Sequence, residues 1–172
     1  MEKAVISNRI YMNRTPQLHQ DLNEELHYVL PPKMPGGPNE SECDVTRINK
    51  NILTIPSGRI DLIPEGYEIV DNRVLVPASF PAFKFKLRPS QQSVYDSCKD
   101  NCIIRANPSW GKTFMGVALS TKLKQKTLVV VHTKFLFDQW VSEIKLRLAI
   151  DAGRIGNGIY NIDAPIVIST VQ

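Results

Sequence analysis

The stretch with the clearest potential for chemistry is Ala106-Asn-Pro-Ser-Trp-Gly111-Lys112-Thr113, which has the residue spacing of a phosphate-binding loop. Such a loop lies between a strand and a helix, so that backbone N–H groups and the positive end of the helix dipole point at the phosphates of a nucleotide. Lys112 would then reach the β- and γ-phosphates, and the Thr113 hydroxyl would hold Mg²⁺. The spacing therefore predicts a nucleotide site in which Lys112 and Thr113 are catalytic and Thr113 is the metal ligand.

The loop departs from the commonest pattern at Ala106 and Ser109, where glycine is more usual, and at Pro108. Pro108 has no N–H group to donate, but it lies early in the loop and leaves the later donors intact. The alternative is a chance match, which the apolar segments on both sides of the loop disfavour. We expect these residues to bind the nucleotide: Pro108, Ser109, Trp110, Gly111, Lys112, Thr113 and Phe114.

Arg88-Pro-Ser-Gln91 stands just upstream of the loop, at the start of a predicted helix. A glutamine amide can both donate to and accept from the edge of an adenine base, so Gln91 could read that base. The alternative is an ordinary helix start, with Pro89 in the first turn and an exposed glutamine. Arg88 and Gln91 are the upstream candidates for the nucleotide site.

Thr133 and Lys134 follow an apolar strand and open the next predicted helix. A hydroxyl, a lysine and a helix N-terminus together suit contact with a nucleic-acid phosphate. The alternative is that Thr133 only caps the helix, and the two roles are compatible. Trp140 lies at helical spacing from other apolar residues, which favours a core position over a base-stacking one.

Two further candidates come from the end of the chain. Residues 152–160 form a glycine-rich turn that could let the backbone approach a phosphodiester closely, with Gly156 as the candidate, or that could be an ordinary loop. A third apolar strand over residues 164–170 ends at Thr170, and Gln172 follows it. We expect Gly156 and Thr170 to join Thr133 and Lys134 in binding DNA.

The elements that position these residues read as alternating strands and helices. Buried strands are predicted at residues 101–106, 127–132 and 164–170, and helices at about 90–98, 114–123 and 134–148. Strands without polar alternation, separated by helices, predict a parallel sheet with helices on both faces. Ligands bind such a sheet beyond the carboxyl ends of its strands, which is where the candidates fall.

Residues 1–80 predict a smaller α+β unit. A strand-like opening is followed by a helix from Thr15 to about His27, short strands near residues 51–55 and 67–76, and a proline-rich loop at residues 31–40. Residues 76–89 contain three prolines and are predicted to connect the units. The predicted domains are therefore 1–80 and 81–172.

Charge separates the same two halves. Residues 1–80 carry eight basic and eleven acidic side chains, a net charge of −3, whereas residues 81–172 carry thirteen and six, a net charge of +7. A basic second half suits a polyanionic partner, although a solvated lysine-rich face is an equally good interpretation.

Cysteine usage and hydropathy bear on the compartment. Cys43, Cys98 and Cys102 make an odd count with no histidine at metal-ligand spacing, which predicts buried free thiols in a reducing compartment, with a zinc site as the alternative. No apolar run approaches the roughly 18 residues needed to span a bilayer, and the N-terminus lacks the pattern of a signal peptide. These features predict a cytoplasmic protein, in the host cell's cytoplasm if a phage encodes it, that does not bind a membrane.

In this order the motifs resemble the first motor domain of superfamily 2 helicases. Arg88 to Gln91 is similar to the adenine-reading Q motif, and Ala106 to Thr113 to motif I. The segment "HTKFLFDQW" resembles motif Ia, residues 156–158 resemble motif Ib loosely, and "ISTVQ" resembles motif Ic. "LRPSQQSVYDS" and "TIPSGRIDLI" are most similar to the XPB/UvsW type, which includes the phage branch-migration helicases.

This resemblance implies a RecA-like α/β fold over residues 81–172, with ATP and Mg²⁺ as cofactors and residues 1–80 as an accessory domain. It implies a monomeric ATP-dependent DNA helicase that remodels Holliday junctions, forks and R-loops in replication, recombination and repair. The chain reaches Gln172 without an Asp-Glu-x-x box or a second motor domain. We therefore expect an N-terminal fragment that is inactive alone. A non-enzymatic DNA-binding or regulatory module with a relic phosphate loop remains the alternative.

Overall fold

The computed structural model describes residues 2–30, 41–99, 101–156 and 158–171, and the chain divides into two compact units, residues 1–74 and 75–172. The predicted loop at residues 31–40 and the candidate Gln172 lie outside the described residues. None of the helices in the described ranges is long and apolar enough to cross a membrane.

Unit 1 is built on a five-stranded sheet in the order β5-β6-β2-β1-β7. Neighbouring strands are antiparallel except β1 and β7, which run parallel. Its strands are β1 (Lys3–Ile6), β2 (Arg9–Asn13), β5 (Arg47–Asn49), β6 (Ile52–Pro56) and β7 (Glu68–Asp71), with a 3₁₀ turn at Ile60–Leu62.

One helix, α1 (Pro16–Leu26), covers a face of this sheet. The Thr15 hydroxyl caps it by accepting from the Leu18 N–H group at 3.1 Å, and Pro16 occupies the first helical position, as the sequence predicts. Its leucines at intervals of four are buried against alternate residues of β1, β2 and β6, so the apolar stripe forms the core of unit 1.

A separate two-stranded ribbon pairs β3 (His27–Leu30) with β4 (Ser41–Asp44), antiparallel. The sequence does not predict this ribbon, because the described side chains of β3 are all exposed and provide no alternation of apolar and polar residues. Cys43 lies on it and is exposed.

Unit 2 contains a four-stranded sheet in the order β10-β9-β11-β8. The strands β9, β11 and β8 are parallel, and β10 forms an antiparallel hairpin with β9. The elements of unit 2 are α2 (Pro89–Ser97), α3 (Lys112–Leu123), β8 (Thr127–Val131), α4 (Lys134–Leu148), β9 (Gly153–Gly156), β10 (Ile159–Asn161) and β11 (Ile166–Thr170).

The predicted α/β class with a parallel sheet and packed helices is confirmed. Val117 of α3 and Ile144 of α4 share a core with Ile166 and Ile168 of β11, so both helices lie on the same sheet face. Leu128 and Val130 of β8 point to the opposite face and are 58% and 57% exposed. The prediction expected helices on both faces, whereas those packed on the described sheet lie on one.

Two local predictions are wrong. Residues 101–106 form no strand, because no described strand lies beside them to complete a ladder, and Ile103 is 97% exposed. Residues 152–160 are not a simple turn, since most of them belong to β9 and β10, which pair as an antiparallel hairpin. The apolar composition of the first segment and the glycines of the second were misleading signals.

The prediction of buried cysteines is correct only for Cys98. Cys43 and Cys102 are exposed, because one lies on the β3–β4 ribbon and the other in the irregular segment after α2. The spacing of the three cysteines argues against a metal site, but the sequence contains no signal for the burial of any one of them.

Candidate nucleotide-binding site

The phosphate loop ends at Gly111, which is the N-cap of α3 and has a φ of +96°. No side chain in the described part of the chain caps this helix end. The N–H groups of the first helical turn have no partner within a helix, so they are available to an anion. Ser109 also adopts a left-handed conformation, with a φ of +62°, and the Trp110 N–H group between the two left-handed residues donates to the Asn107 carbonyl at 3.3 Å, which closes a turn within the loop.

Gly111 also lies in close contact with the upstream motif. A Cβ atom there would lie 2.8 Å from Nε2 of Gln91 and 3.4 Å from Nη2 of Arg88. Both side chains of the upstream motif are therefore packed directly against the phosphate loop. The structure brings together the two segments that the sequence singled out separately.

Gln91 makes this contact through hydrogen bonds. Its Oε1 accepts from the Arg88 N–H group at 3.0 Å, and its Nε2 donates to the Trp110 carbonyl at 2.8 Å. The Arg88 guanidinium donates to the same carbonyl. Gln91 is only 3% exposed, so it is not the exposed glutamine of a plain helix start. These are two of the four hydrogen bonds that an amide side chain can make. Recognition of adenine by Gln91 stays a prediction.

Lys112 lies at the start of α3 with an exposed side chain that turns back over the loop. Its Nζ donates to the carbonyls of Ala106, at 3.2 Å, and Asn107, at 3.0 Å. The ammonium group is thus held beside the uncapped helix end by two neutral carbonyl acceptors. A bound phosphate would offer it a charged acceptor in their place. Thr113 is half-buried in the same turn, and Pro108 is exposed at the outer side of the loop.

Lys122, which the sequence did not single out, fastens the other end of α2. Its Nζ donates to the carbonyls of Tyr95 and Asp96 and, at 3.0 Å, of Cys98, and it lies 4.7 Å from the centre of the Tyr95 ring. A lysine on the last carbonyls of a helix satisfies orphan acceptors and opposes the negative end of the dipole. The residue comes from α3, so one end of α2 is attached to the candidate phosphate loop and the other to the helix that follows this loop.

An aromatic cluster surrounds Phe114, which follows Thr113. Its ring centre lies 5.3 Å from that of Phe83 and 6.3 Å from that of Phe85. The Arg147 guanidinium of α4 covers Phe85 and Phe114 at 4.6 and 5.0 Å, and it is paired with Glu143 at 2.8 Å. These contacts join the first turn of α3 to α4. The only sequence feature that could have predicted part of this aromatic cluster is the alternating "FKF" at residues 83–85.

The other candidates lie at the carboxyl edge of the parallel strands. Thr133, two residues beyond β8, caps α4 by accepting from the Leu136 N–H group at 3.3 Å, and Lys134 is exposed beside it. Gly156 ends β9 with a φ of +130°, and a Cβ there would lie 3.4 Å from Oγ1 of Thr170. Thr170 is paired in register with Val131 at the end of β8. The four residues therefore lie at the ends of three neighbouring strands.

Trp140 belongs to the core, as expected. It is half-buried and packs against the cluster beneath α3 and α4. A Cβ atom at Gly116 of α3 would overlap the Trp140 ring. The close approach of the two helices at this point therefore depends on glycine.

A family model described as "Type III restriction enzyme, res subunit" matches residues 84–172, which is half of the chain. "Probable helicase D10" of Escherichia phage T5 is 37% identical over 177 residues, covering 99% of this chain and 38% of that protein. "Putative ATP-dependent RNA helicase L396" of Acanthamoeba polyphaga mimivirus is 34% identical over 93 residues, covering 50% of this chain and 18% of that protein.

Among solved structures, "The crystal structure of T4 UvsW" matches with a TM-score of 0.61 and 15% sequence identity, over 98% of this chain and 42% of that one. At this identity the likeness concerns the fold. The chain thus spans about two fifths of the length of these two phage proteins.

Proposed function

This chain belongs to the type III restriction enzyme res subunit family, and from that premise we propose that it supplies the nucleotide-binding part of an ATP-dependent DNA helicase of superfamily 2, of the UvsW type. The observation that carries the proposal is the loop at the uncapped start of α3. Ser109 and Gly111 adopt left-handed backbone conformations there. The Lys112 ammonium group donates to the Asn107 carbonyl of the loop, and the Gln91 amide donates to the Trp110 carbonyl.

These residues fit a nucleoside triphosphate with Mg²⁺. The N–H groups of the first turn of α3 would bind phosphate oxygens, Lys112 would neutralise their charge, and the Thr113 hydroxyl would contact the metal. Arg88 and Gln91 would form the base-proximal side of the site, next to Trp110. The bound nucleotide supplies the free energy of phosphoryl transfer, while the residues of this chain bind and orient it.

A DNA strand would bind across the carboxyl edge of the sheet. The Thr133 hydroxyl retains its own proton to donate after accepting from Leu136, Lys134 offers a charge, and Gly156 and Thr170 lie at the neighbouring strand ends. Contacts of this kind bind the phosphate backbone and carry no base specificity. The net charge of +7 over residues 81–172 supports a polyanionic partner. Preference for branched DNA, in recombination and repair, follows the family resemblance.

The first experiment measures nucleotide binding by the 172-residue chain. We expect weak, Mg²⁺-dependent binding of a fluorescent ATP analogue and loss of binding in Lys112→Ala, with no measurable turnover by either. Lys124→Ala, an exposed lysine at the other end of α3, is the matched control and should bind as the wild type does. Equal binding by Lys112→Ala and the wild type would remove the nucleotide assignment.

The second experiment tests the nucleic-acid partner with the complete gene product. We expect ATP hydrolysis stimulated by branched and single-stranded DNA more than by RNA of the same sequence, and lost in Lys112→Ala. Salt-sensitive DNA binding without any response to ATP would instead identify a non-enzymatic DNA-binding module. Greater stimulation by RNA would overturn the choice of DNA.

A further inference from the structure

Two of the three cysteines lie in contact in unit 2. The Sγ atoms of Cys98 and Cys102 are 3.4 Å apart, within the range of a thiol hydrogen bond and about 1.4 Å beyond the length of a disulfide. Cys98 directly follows α2, and Cys102 opens the segment that leads to the phosphate loop at Ala106. The sulfur contact therefore lies between the helix that begins with the Arg88–Gln91 motif and the segment that leads to the candidate phosphate loop.

The two thiols differ in mobility and access. The Cys98 N–H group donates to the Val94 carbonyl at 3.1 Å, and its carbonyl accepts from Lys122 at 3.0 Å, so the backbone on both sides of the buried thiol is held. Cys98 is 7% exposed, whereas Cys102 is exposed and open to a small reagent. One thiol can be reached from solvent, and a second lies fixed beside it.

We propose that Cys98 and Cys102 are an oxidative modification site, at which a small-molecule disulfide such as glutathione disulfide converts the pair into an intramolecular disulfide. Burial, together with the hydrogen bond to Cys102, raises the pKa of the Cys98 thiol, which makes exposed Cys102 the first nucleophile. The inference is independent of the proposed function, since it concerns thiol chemistry alone.

The reaction balances in two exchanges. The Cys102 thiolate attacks one sulfur of the glutathione disulfide, the S–S bond breaks, and one glutathione thiolate leaves. Cys98 then loses its proton and attacks Cys102 Sγ in the mixed disulfide, which releases the second glutathione. The protein loses two protons and two electrons, and the oxidant is reduced to two thiols. The product links the end of α2 covalently to the segment before the phosphate loop.

The test equilibrates the reduced wild-type chain with glutathione buffers, natively and in urea, and maps the products by mass spectrometry of peptides. We expect a Cys98–Cys102 disulfide, lighter by two hydrogen atoms, and glutathione adducts confined to Cys43. The equilibrium constant for the disulfide should be about tenfold or more greater in the native chain than in urea, because the fold holds the sulfurs together. An equal or smaller native constant would overturn the proposal.

Single variants separate the two steps. Cys98→Ser should stop at a stable glutathione adduct on Cys102, and Cys102→Ser should leave Cys98 unmodified in the native chain. Cys43→Ser, which alters the exposed thiol of unit 1, is the matched control and should oxidise at the pair as the wild type does. A wild-type chain that retains glutathione on Cys102 would contradict the pairing. The comparison of native with urea-unfolded wild type decides the matter even if a variant fails to fold.

Discussion

The Gln91 amide donates a hydrogen bond to the Trp110 carbonyl across 2.8 Å, and with the bond from the Arg88 guanidinium to the same carbonyl it joins the upstream motif to the phosphate loop. Because Gln91 is buried and its Oε1 is bonded to the Arg88 N–H group, the amide orientation is defined before any ligand binds. A residue considered for recognition of the base therefore also shapes the loop that would bind the phosphates.

Gly111→Ala is expected to weaken nucleotide binding and to destabilise unit 2. The left-handed backbone costs an alanine about 1–2 kcal/mol. The added Cβ would also lie 2.8 Å from the Gln91 amide, so the contact between the two motifs must open. Binding of a fluorescent ATP analogue and urea unfolding followed by tryptophan fluorescence measure the two effects, since both tryptophans lie in unit 2.

Gly66→Ala is the matched control for that substitution. Gly66 has a φ of +86°, but a Cβ there would meet nothing within 4 Å. It should show the cost of backbone strain alone, by far-UV circular dichroism, with unchanged nucleotide binding. If Gly111→Ala also left binding unchanged, the loop would not be the site.

Lys122→Met is expected to lower the free energy of unfolding of unit 2 by about 1–2 kcal/mol, because the last carbonyls of α2 lose a charged donor. Lys122→Arg should recover much of the loss, since a guanidinium can donate to the same carbonyls. Lys124→Met, at an exposed lysine two residues away, serves as the control. A Lys122→Met variant as stable as this control in urea would show that the cap contributes nothing.

Gly116→Ala should destabilise unit 2 although alanine favours helices over glycine by about 1 kcal/mol. The new methyl group would overlap the Trp140 ring, and overpacking of this kind costs about 1–3 kcal/mol. In a Trp140→Leu background the same substitution should become neutral or stabilising. A double-mutant cycle by urea unfolding, followed by circular dichroism, measures the coupling, and additivity of the two changes would refute the contact.

Thr133→Ala should cost about 1 kcal/mol of stability through loss of the α4 cap, and Thr133→Ser should retain the cap. Thr15→Ala is a close comparison, because Thr15 caps α1 by accepting from Leu18 as Thr133 does from Leu136. Only Thr133→Ala should also weaken DNA binding, measured by fluorescence anisotropy at low salt. Equal DNA affinity for the two alanine variants would leave Thr133 with a capping role alone.

The sequence predicted most where local physical rules act. The α1 helix follows from its threonine cap, its proline and its leucine spacing, and β8, β11 and α4 follow from apolar runs and periodicity. The candidate phosphate loop could be predicted because the residue types and their order, which decide what such a loop can bind, are read directly from the sequence. The order of the motifs along the chain then provided the family resemblance, and the predicted parallel sheet placed the motifs at one edge.

The sequence predicted least where partners are distant along the chain. Residues 101–106 have the composition of a strand, but a strand needs a neighbouring strand to pair with, and composition contains no information on that neighbour. Lys122 reaches the end of α2 across more than twenty residues, and Arg147 reaches Phe85 across about sixty. The contact between Cys98 and Cys102 is short in sequence but depends on how α2 ends.

The position of β11 has a consequence for synthesis on the ribosome. Both β8 and β9 pair with β11, which is the last strand among the described residues, whereas the described strands of the unit 1 sheet have all been made by Asp71. Translation at about 5–20 residues per second therefore delivers a complete first sheet several seconds before the second can assemble. During that interval the nascent β8 and β9 lack their common partner, so a translational pause before Ile166 would prolong their exposure to chaperones and proteases.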